Sequence, residues 1–249
     1  MTTQTKIEWT EQTWNPVTGC TKVSPGCKHC YAETMAKRLT AMGAPGYDNG
    51  FEISLMSGRL NQPLKRKKPT IYFVNSMSDL FHEEVPFSFI DQVMETIEQT
   101  PQHTYQILTK RAERMAQYFK DKPAPRNAWL GVSVEDKQYG LPRINYLRTI
   151  KASVRFLSVE PLLEDLGKVD LYGIHWVIVG GESGPKARPM KPKWVDPIQK
   201  QCVQQKVSFF FKQWGGWGAD GKKRAKQQNG RLYKGQTWDD MPVNMNAIY

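Results

Sequence analysis

Three of the four cysteines in this 249-residue chain lie close together, at Cys20, Cys27 and Cys30, in a C-x6-C-x2-C pattern. Thiolates are soft ligands that favour zinc or iron–sulfur clusters. Structural zinc normally takes four protein ligands. No fourth ligand is evident here, although His29 lies between two of the cysteines. We therefore expect a 4Fe–4S cluster with one iron left open, and we keep zinc as the alternative.

An open iron in such a cluster can bind the amino and carboxylate groups of S-adenosylmethionine. Electron transfer then splits the sulfonium and gives a 5′-deoxyadenosyl radical. The protein's part in radical cofactor chemistry is to bind, orient and shield the reacting groups. The remaining cysteine, Cys202, falls in a predicted late helix, where we expect it to be a buried apolar residue.

Short apolar runs recur along the chain and have the composition of strands that are buried on both faces. They are Ile71–Val74, Tyr105–Leu108, Trp129–Val134, Val154–Val159, Trp176–Val179 and Val207–Phe211, with Ile7–Trp9 as an earlier candidate and Phe51–Met56 as a weaker one. Helical periodicity between them predicts helices over Lys28–Met42, Phe87–Gln99, Arg111–Phe119, Tyr139–Ile150 and Trp194–Gln205. This alternation predicts an α/β fold with a parallel sheet covered by helices.

Polar residues directly follow most of the predicted strands, where parallel α/β folds bind their ligands. The candidates are Asn75, Ser76, Ser78, Asp79, Lys110, Ser133, Glu135, Glu160, Gly180, Gly181, Glu182 and Lys212. Any one of these segments could instead be a turn or a helix cap. Their repetition after successive strands favours one shared polar cavity. In that cavity we assign Glu160, Glu182 and Lys212 to catalysis.

Seven separated stretches appear in order and carry a family resemblance. They are TWNPVTGCTKVSPGCKHCYAETMAKRL, IYFVNSMSDLFHEEVP, QILTKR, WLGVSVE, RFLSVEPLL, WVIVGGESGPKARPM and FFFKQWG. They resemble the phage-associated three-cysteine-motif family, whose members are of unknown function and similar to radical S-adenosylmethionine enzymes. The resemblance implies a partial or complete TIM-barrel-like fold and a cluster on the three cysteines. It supplies no substrate.

The same resemblance implies how S-adenosylmethionine would be bound. The segment containing Asn75, Ser76, Ser78 and Asp79 follows the second strand, where radical enzymes bind the amino group of this cofactor. Their usual motif of two glycines and a glutamate is absent there and occurs on the sixth strand instead. Ser133 and Glu135 correspond to the ribose or carboxylate contacts, and Gly180 and Gly181 to the adenine side. Lys110 could bind the cofactor carboxylate. The cysteine spacing also departs from the usual C-x3-C-x2-C.

The formal net charge of +11 suggests a polyanionic partner. The basic groups are Lys65–Lys68, Lys110-Arg111-Arg114, Lys186-Arg188-Lys191-Lys193 and Lys222–Lys226, and aromatic residues lie among the later ones. Cations attract phosphates, and aromatic faces stack on extruded bases. We therefore consider a nucleic acid as the substrate, with a peptide or a small molecule as alternatives. A reductant protein would supply the electron. No run approaches the length of a membrane span, so we expect a cytoplasmic protein of a bacterium or of a phage-infected host.

The length is enough for one large domain or two small ones. The resemblance implies one barrel-like domain over residues 1–217, with a C-terminal extension over residues 218–249 that packs on the barrel or covers it. Two other functions remain open at this point. One is a non-catalytic nucleic-acid-binding protein with structural zinc. The other is a metal-dependent hydrolase that uses Glu135, Glu160 and Glu182.

Overall fold

A computed structural model describes residues 7–242, and its centre is a parallel sheet of seven strands that curls into a half-barrel. The strands are β1 Gln12–Trp14, β4 Ile71–Val74, β5 Thr104–Thr109, β6 Ala128–Ser133, β7 Val154–Val159, β8 Trp176–Gly180 and β9 Ser208–Gln213. Their spatial order follows the chain, and every neighbouring pair is parallel. Two short strands, β2 Val17–Thr18 and β3 Ser54–Leu55, form a separate antiparallel pair.

Helices follow most strands, as the periodicity predicted. They are α1 Tyr31–Ala41, α2 Phe87–Glu98, α3 Ala112–Tyr118, α4 Gly140–Thr149 and α5 Pro192–Gln204, and the short α6 Lys226–Asn229 lies in the C-terminal extension. The connection from β7 to β8 contains no helix. None of the helices within residues 7–242 is long and apolar enough to cross a membrane.

Alternate strand residues face two different environments. One layer of strand side chains, including Ile107 and Val132, packs with helix residues such as Ile90 and Val93. The opposite, concave face carries a second cluster at its amino end, formed by Trp9, Trp129, Val154, Phe156, Trp176, Ile178 and Phe210. Burial on both faces explains why these strands have nearly continuous apolar sequences. It also leaves only the carboxyl ends of the strands for polar chemistry.

The predicted first strand, Ile7–Trp9, is wrong. The strand at this edge is β1, which pairs with β4 through Gln12–Trp14. Trp9 instead lies on the concave face, 4.9 Å from the ring of Phe73, and its carbonyl oxygen accepts a hydrogen bond from Gln106. Trp9 is buried by side-chain packing rather than by strand pairing, so its apolar character is a poor indicator of secondary structure. The weaker candidate Phe51–Met56 contains β3, which lies outside the main sheet.

The described part of the C-terminal extension, residues 218–242, contacts the edge strand β9. The amide of Phe211 donates to the carbonyl of Trp238 at 2.9 Å, and Phe210 and Asp239 form an antiparallel bridge. Tyr233 is buried, with its ring 5.2 Å from that of Phe211. The extension therefore covers the open edge that β9 would otherwise present. The outermost parts of both predicted segments, residues 1–6 and 243–249, lie outside the described residues.

Candidate functional site

The loop that carries the three cysteines, residues 19–30, lies over the carboxyl ends of the strands. We call it the cysteine loop. Its first residue, Gly19, pairs with Ser78 just beyond β4, and the Gly19 amide donates to the carbonyl of Met77 at 3.2 Å. A short 3-10 turn, Pro25–Cys27, follows, and Cys30 is the N-cap of α1. The loop is therefore fixed to the end of the sheet where a ligand would bind.

Cys20, Cys27 and Cys30 are free thiols of intermediate exposure. Cys20 and Cys27 are near enough to influence each other electrostatically. Burial and the charge of Asp79 raise the pKa of Cys20 from 9.0 to about 11, although Arg111 acts in the opposite direction. Within residues 7–242, no group of three or more His, Cys, Asp or Glu side chains is placed to hold a single metal ion. Three free soft donors on one loop nevertheless match the donor set of an iron–sulfur cluster.

Asp79 and Arg111 fix the beginning of the cysteine loop. Asp79 accepts hydrogen bonds from the Thr109 hydroxyl at 2.7 Å and from the Lys110 amide at 3.0 Å. Its carboxylate also pairs with Arg111 at 3.3 Å. The guanidinium of Arg111 in turn donates to the hydroxyl of Thr21 at 2.8 Å and to the sulfur of Cys20 at 3.6 Å. Asp79 therefore acts on the loop through the guanidinium.

Glu135 fixes the middle of the cysteine loop. Its side chain is fully buried and pairs with Arg143, with 2.6 Å between Nη1 and Oε2. The other carboxylate oxygen accepts a hydrogen bond from the hydroxyl of Ser24. A buried carboxylate requires a cation and donors of this kind. Glu135 thus connects the end of β6 to the cysteine loop.

Glu182 fixes the neighbouring turn of the loop. It accepts two hydrogen bonds from the Arg188 guanidinium, at 2.6 and 2.9 Å. Arg188 also donates to the carbonyl oxygen of Pro25 at 3.0 Å. Burial opposes ionisation of Glu182, but the hydrogen bonds and charge of Arg188 outweigh it, so the pKa of Glu182 is lowered.

The predicted cofactor residues after β4 contact the chain just before the cysteine loop. The Ser76 hydroxyl donates to the Asn15 side chain at 3.2 Å, and the Ser78 hydroxyl donates to the Val17 carbonyl at 2.7 Å. Asn75 accepts from the Val17 amide at 3.4 Å. Its Nδ2 atom, however, is buried with no hydrogen-bond partner among the described residues. An unpaired buried donor is costly, which makes this atom a candidate to donate a hydrogen bond to a ligand.

A second polar group lies on the concave face, below the cysteine loop. The Lys110 ammonium donates to the Ser133 hydroxyl at 3.0 Å and has no ion-pair partner within residues 7–242. Glu160 pairs with Lys212 at 2.8 Å and accepts from Ser158 at 3.3 Å. Lys212 lies 5.8 Å from the ring of Trp9, which belongs to the apolar cluster below. The charge of Lys110 is therefore not neutralised by an acidic side chain among the described residues. This residue is the one predicted to bind the carboxylate of the cofactor.

The two glycines of the sixth predicted strand have different surroundings. A Cβ atom on Gly180 would lie 2.6 Å from Glu160, so this glycine leaves room for the Glu160 carboxylate. A Cβ atom on Gly181 would lie 1.9 Å from the carbonyl oxygen of Trp214. The group that approaches Gly181 closely is thus the backbone of Trp214 in the protein itself, and not a bound cofactor.

The three carboxylates proposed for a hydrolase do not converge. Glu135 pairs with Arg143, Glu160 with Lys212 and Glu182 with Arg188. Each negative charge is neutralised by its own cation. This arrangement gives no support to a metal-dependent hydrolase.

The basic groups also have different positions. Arg111 and Arg188 are engaged with acids at the cysteine loop. Lys65–Lys68 precedes β4, and the carbonyl of Arg66 accepts from His103 just before β5, so this run lies at the amino ends of the strands. In the extension, Arg224 pairs with Asp220 and Lys226 with Glu8. Exposed Lys186 lies in the segment that reaches the cysteine loop through Arg188.

Asn15, Arg143 and the specific roles of Arg111 and Arg188 were not predicted from the sequence. The last two were assigned only to a basic surface. The acidic partners of these arginines lie at the ends of other chain segments. No local sequence spacing therefore identifies the ion pairs. A basic residue directly after a strand-end polar run, as in Thr109-Lys110-Arg111, is the one signal that could have suggested such a role.

Comparisons with known proteins show the fold and the family. The fold is similar to that of a spore photoproduct lyase mutant with bound dinucleoside spore photoproduct, with a TM-score of 0.51 and 13% identity over 82% of this chain and 64% of the other. A second mutant of that lyase gives a TM-score of 0.50 and 14% identity over 73% and 58% of the two chains.

The chain thus spans less than two thirds of the length of these structures. The half-barrel matches theirs and confirms the predicted partial TIM-barrel fold. A comparison with curated proteins gives no match. A family model described as protein of unknown function (DUF5131) matches residues 4–242, and the chain therefore belongs to this family.

Proposed function

We propose that this protein is a radical S-adenosylmethionine enzyme and that its substrate is a nucleic acid. The observation that carries the proposal is the placement of three free cysteines on a loop fixed over the carboxyl ends of a parallel half-barrel. Cys20, Cys27 and Cys30 would hold a 4Fe–4S cluster. Together with S-adenosylmethionine, such a cluster supplies a 5′-deoxyadenosyl radical.

The residues of the chain would bind and orient the cofactor. The uncompensated Lys110 ammonium, held by the Ser133 hydroxyl, suits a carboxylate. The unpaired Nδ2 atom of Asn75 offers a donor near the cysteine loop. Ser76, Ser78 and Asp79 would act by holding the loop, because their polar atoms already bond to the chain. Gly180 would keep the concave face open beside Glu160.

The substrate-side groups would be Glu160 and Lys212, which meet on the concave face. Their ion pair provides a proton donor next to a proton acceptor in a half-buried position. Glu182 would act through Arg188 on the turn at Pro25. The likeness to a lyase that holds a dinucleoside photoproduct supports a nucleic-acid substrate. Lys186, exposed and two residues before Arg188, would add a cation for a phosphate.

Anaerobic reconstitution tests the proposal. The wild-type chain should take up about four irons and four sulfides. Reduction with dithionite in the presence of S-adenosylmethionine should then yield 5′-deoxyadenosine. Replacing Cys20, Cys27 or Cys30 by Ala should abolish both the iron content and the product.

Cys202→Ala is the matched control, because Cys202 is buried in α5 and should not affect the iron content. Tight binding of about one zinc and no iron would favour a structural zinc site. A full cluster that never cleaves S-adenosylmethionine with any reductant would contradict the proposed reaction.

A further inference from the structure

The side chain of Arg111 links a loop cysteine to two carboxylates. Arg111 lies two residues after the end of β5 and is buried, with 7% of its surface exposed. One of its terminal nitrogens, Nη1, donates both to the sulfur of Cys20 at 3.6 Å and to Asp79 at 3.3 Å. Its Nε atom donates to Glu83 at 2.8 Å. No other cationic side chain within residues 7–242 donates a hydrogen bond to a loop cysteine.

We propose that Arg111 sets the reduction potential of the iron–sulfur cluster by donating a charged hydrogen bond to the sulfur of Cys20. This inference rests on the proposed function, since it requires a cluster on Cys20, Cys27 and Cys30. One electron from an external donor such as dithionite enters the cluster, and no other bond changes. Arg111 is a positioning and tuning residue, because it contacts a ligand of the cluster and not the substrate.

The direction of the effect follows from charge. Reduction adds a negative charge to the cluster, and hydrogen bonds to its sulfurs are one of the factors that set its potential. A guanidinium stays charged under all ordinary conditions, and burial strengthens its field. Arg111 therefore stabilises the reduced cluster more than the oxidised one and raises the potential. The other loop cysteines lack such a donor among the described residues.

Two carboxylates determine how strongly the positive charge of Arg111 acts on Cys20. Asp79 is buried and holds the guanidinium in position through the same nitrogen that contacts the sulfur. Glu83 has a side chain that is 65% exposed and bonds to the opposite edge of the guanidinium. Glu83 can therefore be changed with little effect on the core. Neutralising Glu83 removes a negative charge that partly cancels the charge of Arg111, so the guanidinium acts more strongly on the cluster.

Anaerobic redox titration followed by electron paramagnetic resonance tests the inference on the full-length protein. Arg111→Gln should shift the reduction equilibrium about tenfold toward the oxidised cluster, a potential about 59 mV lower for a one-electron couple. Arg111→Lys keeps the positive charge but lacks the planar guanidinium. The reduction potential of this variant should therefore fall between those of the wild type and Arg111→Gln. Arg114→Gln is the matched control, because Arg114 lies in the first turn of α3, just after Arg111, and donates to the Val85 carbonyl instead of a cysteine.

Glu83→Gln should move the potential upward, opposite to Arg111→Gln. Glu84→Gln is its control, since this neighbouring acid is exposed and does not bond to Arg111. Both substitutions remove a nearby negative charge, but only Glu83→Gln removes a partner of Arg111. A smaller shift of the reduction potential in Glu84→Gln than in Glu83→Gln would therefore show that the effect acts through the guanidinium. If Arg111→Gln holds no cluster, the Glu83→Gln and Glu84→Gln pair decides the question.

Equal potentials in Glu83→Gln, Glu84→Gln and the wild type would overturn the inference, and so would an unchanged potential in a cluster-loaded Arg111→Gln. Failure of the wild type itself to assemble a cluster would instead contradict the proposed function. The two failures are therefore distinguishable.

Discussion

Acids at the ends of three strands neutralise buried or half-buried cations around the cysteine loop. Glu135 pairs with Arg143, Glu182 with Arg188, and Asp79 with Arg111. The sequence predicted all three acids as ligand-binding or catalytic groups. At the residue scale, their charges are largely used to hold the loop. Lys110 and the Glu160–Lys212 pair on the concave face remain the groups best placed to contact a ligand.

Glu182→Gln should lower the free energy of unfolding by about 2 kcal/mol at pH 7, because it weakens hydrogen bonds from a charged donor. The pKa of Glu182 is lowered in the folded chain from its ordinary value of 4.5. The stabilisation is therefore fully present above that value and is lost as the pH falls through the lower folded pKa. Urea unfolding of wild type and variant from pH 7 to pH 3 measures this difference.

Glu98→Gln provides the reference for loss of an exposed carboxylate. A Glu182→Gln deficit that does not shrink toward low pH would show that the pair is not the source of the stability.

At the scale of elements, the cysteine loop depends on backbone contacts as well as ion pairs. The segment after β8 packs against the segment after β9, where the amide of Gly216 donates to the carbonyl of Glu182 at 2.8 Å. Gly181 lies at this contact, and the Trp214 carbonyl fills the space beside it. This packing positions Glu182, which in turn holds Arg188 and the loop. The glycine thus contributes to the site through the neighbouring chain segment.

Gly181→Ala should destabilise the fold by about 1–3 kcal/mol, because the added methyl group would overlap the Trp214 carbonyl and force the backbone to shift. It should also reduce cluster loading, since Glu182 would be displaced. Thermal unfolding and iron analysis measure the two effects. Gly58→Ala is the control, because nothing lies within 4 Å of a Cβ atom there. Equal stability of the two variants would refute the packing role of Gly181.

At the scale of the whole molecule, the C-terminal extension and the half-barrel share one apolar core. Tyr233 and Phe211 belong to the same buried cluster, and Trp238 packs against it. The N-terminal segment also reaches the extension, through the ion pair of Glu8 with Lys226 at 3.2 Å. We propose that the extension unfolds together with the barrel as one unit.

Tyr233→Ala should lower the free energy of unfolding by about 3 kcal/mol, as expected for removal of a large buried aromatic ring. Unfolding should remain a single transition when followed by tryptophan fluorescence and by circular dichroism. Tyr172→Ala is the matched control, because Tyr172 is 82% exposed. A separate early transition for the extension, with the barrel stability unchanged, would contradict a shared folding unit.

The sequence determined the repetitive part of the fold. Helices α2 and α5 and strands β4 and β7 lie where periodicity and apolar runs predicted them, because burial against neighbours imposes a regular pattern on each segment. The edge strand β1 was missed, since Gln12 and Thr13 are not buried and only Trp14 is apolar. Trp9 misled the prediction because it is buried by packing on the concave face.

The sequence also indicated the chemistry of the cysteine loop and the strand ends that surround it. Only the tertiary structure decided which charges meet. Asp79 and Arg111 are 32 residues apart, and Arg188 contacts Pro25 across 163 residues. Such pairs form because the sheet brings distant strand ends to one side and buried charges must be neutralised there. No local pattern encodes that pairing, so the roles of Arg111 and Arg188 depended on the fold.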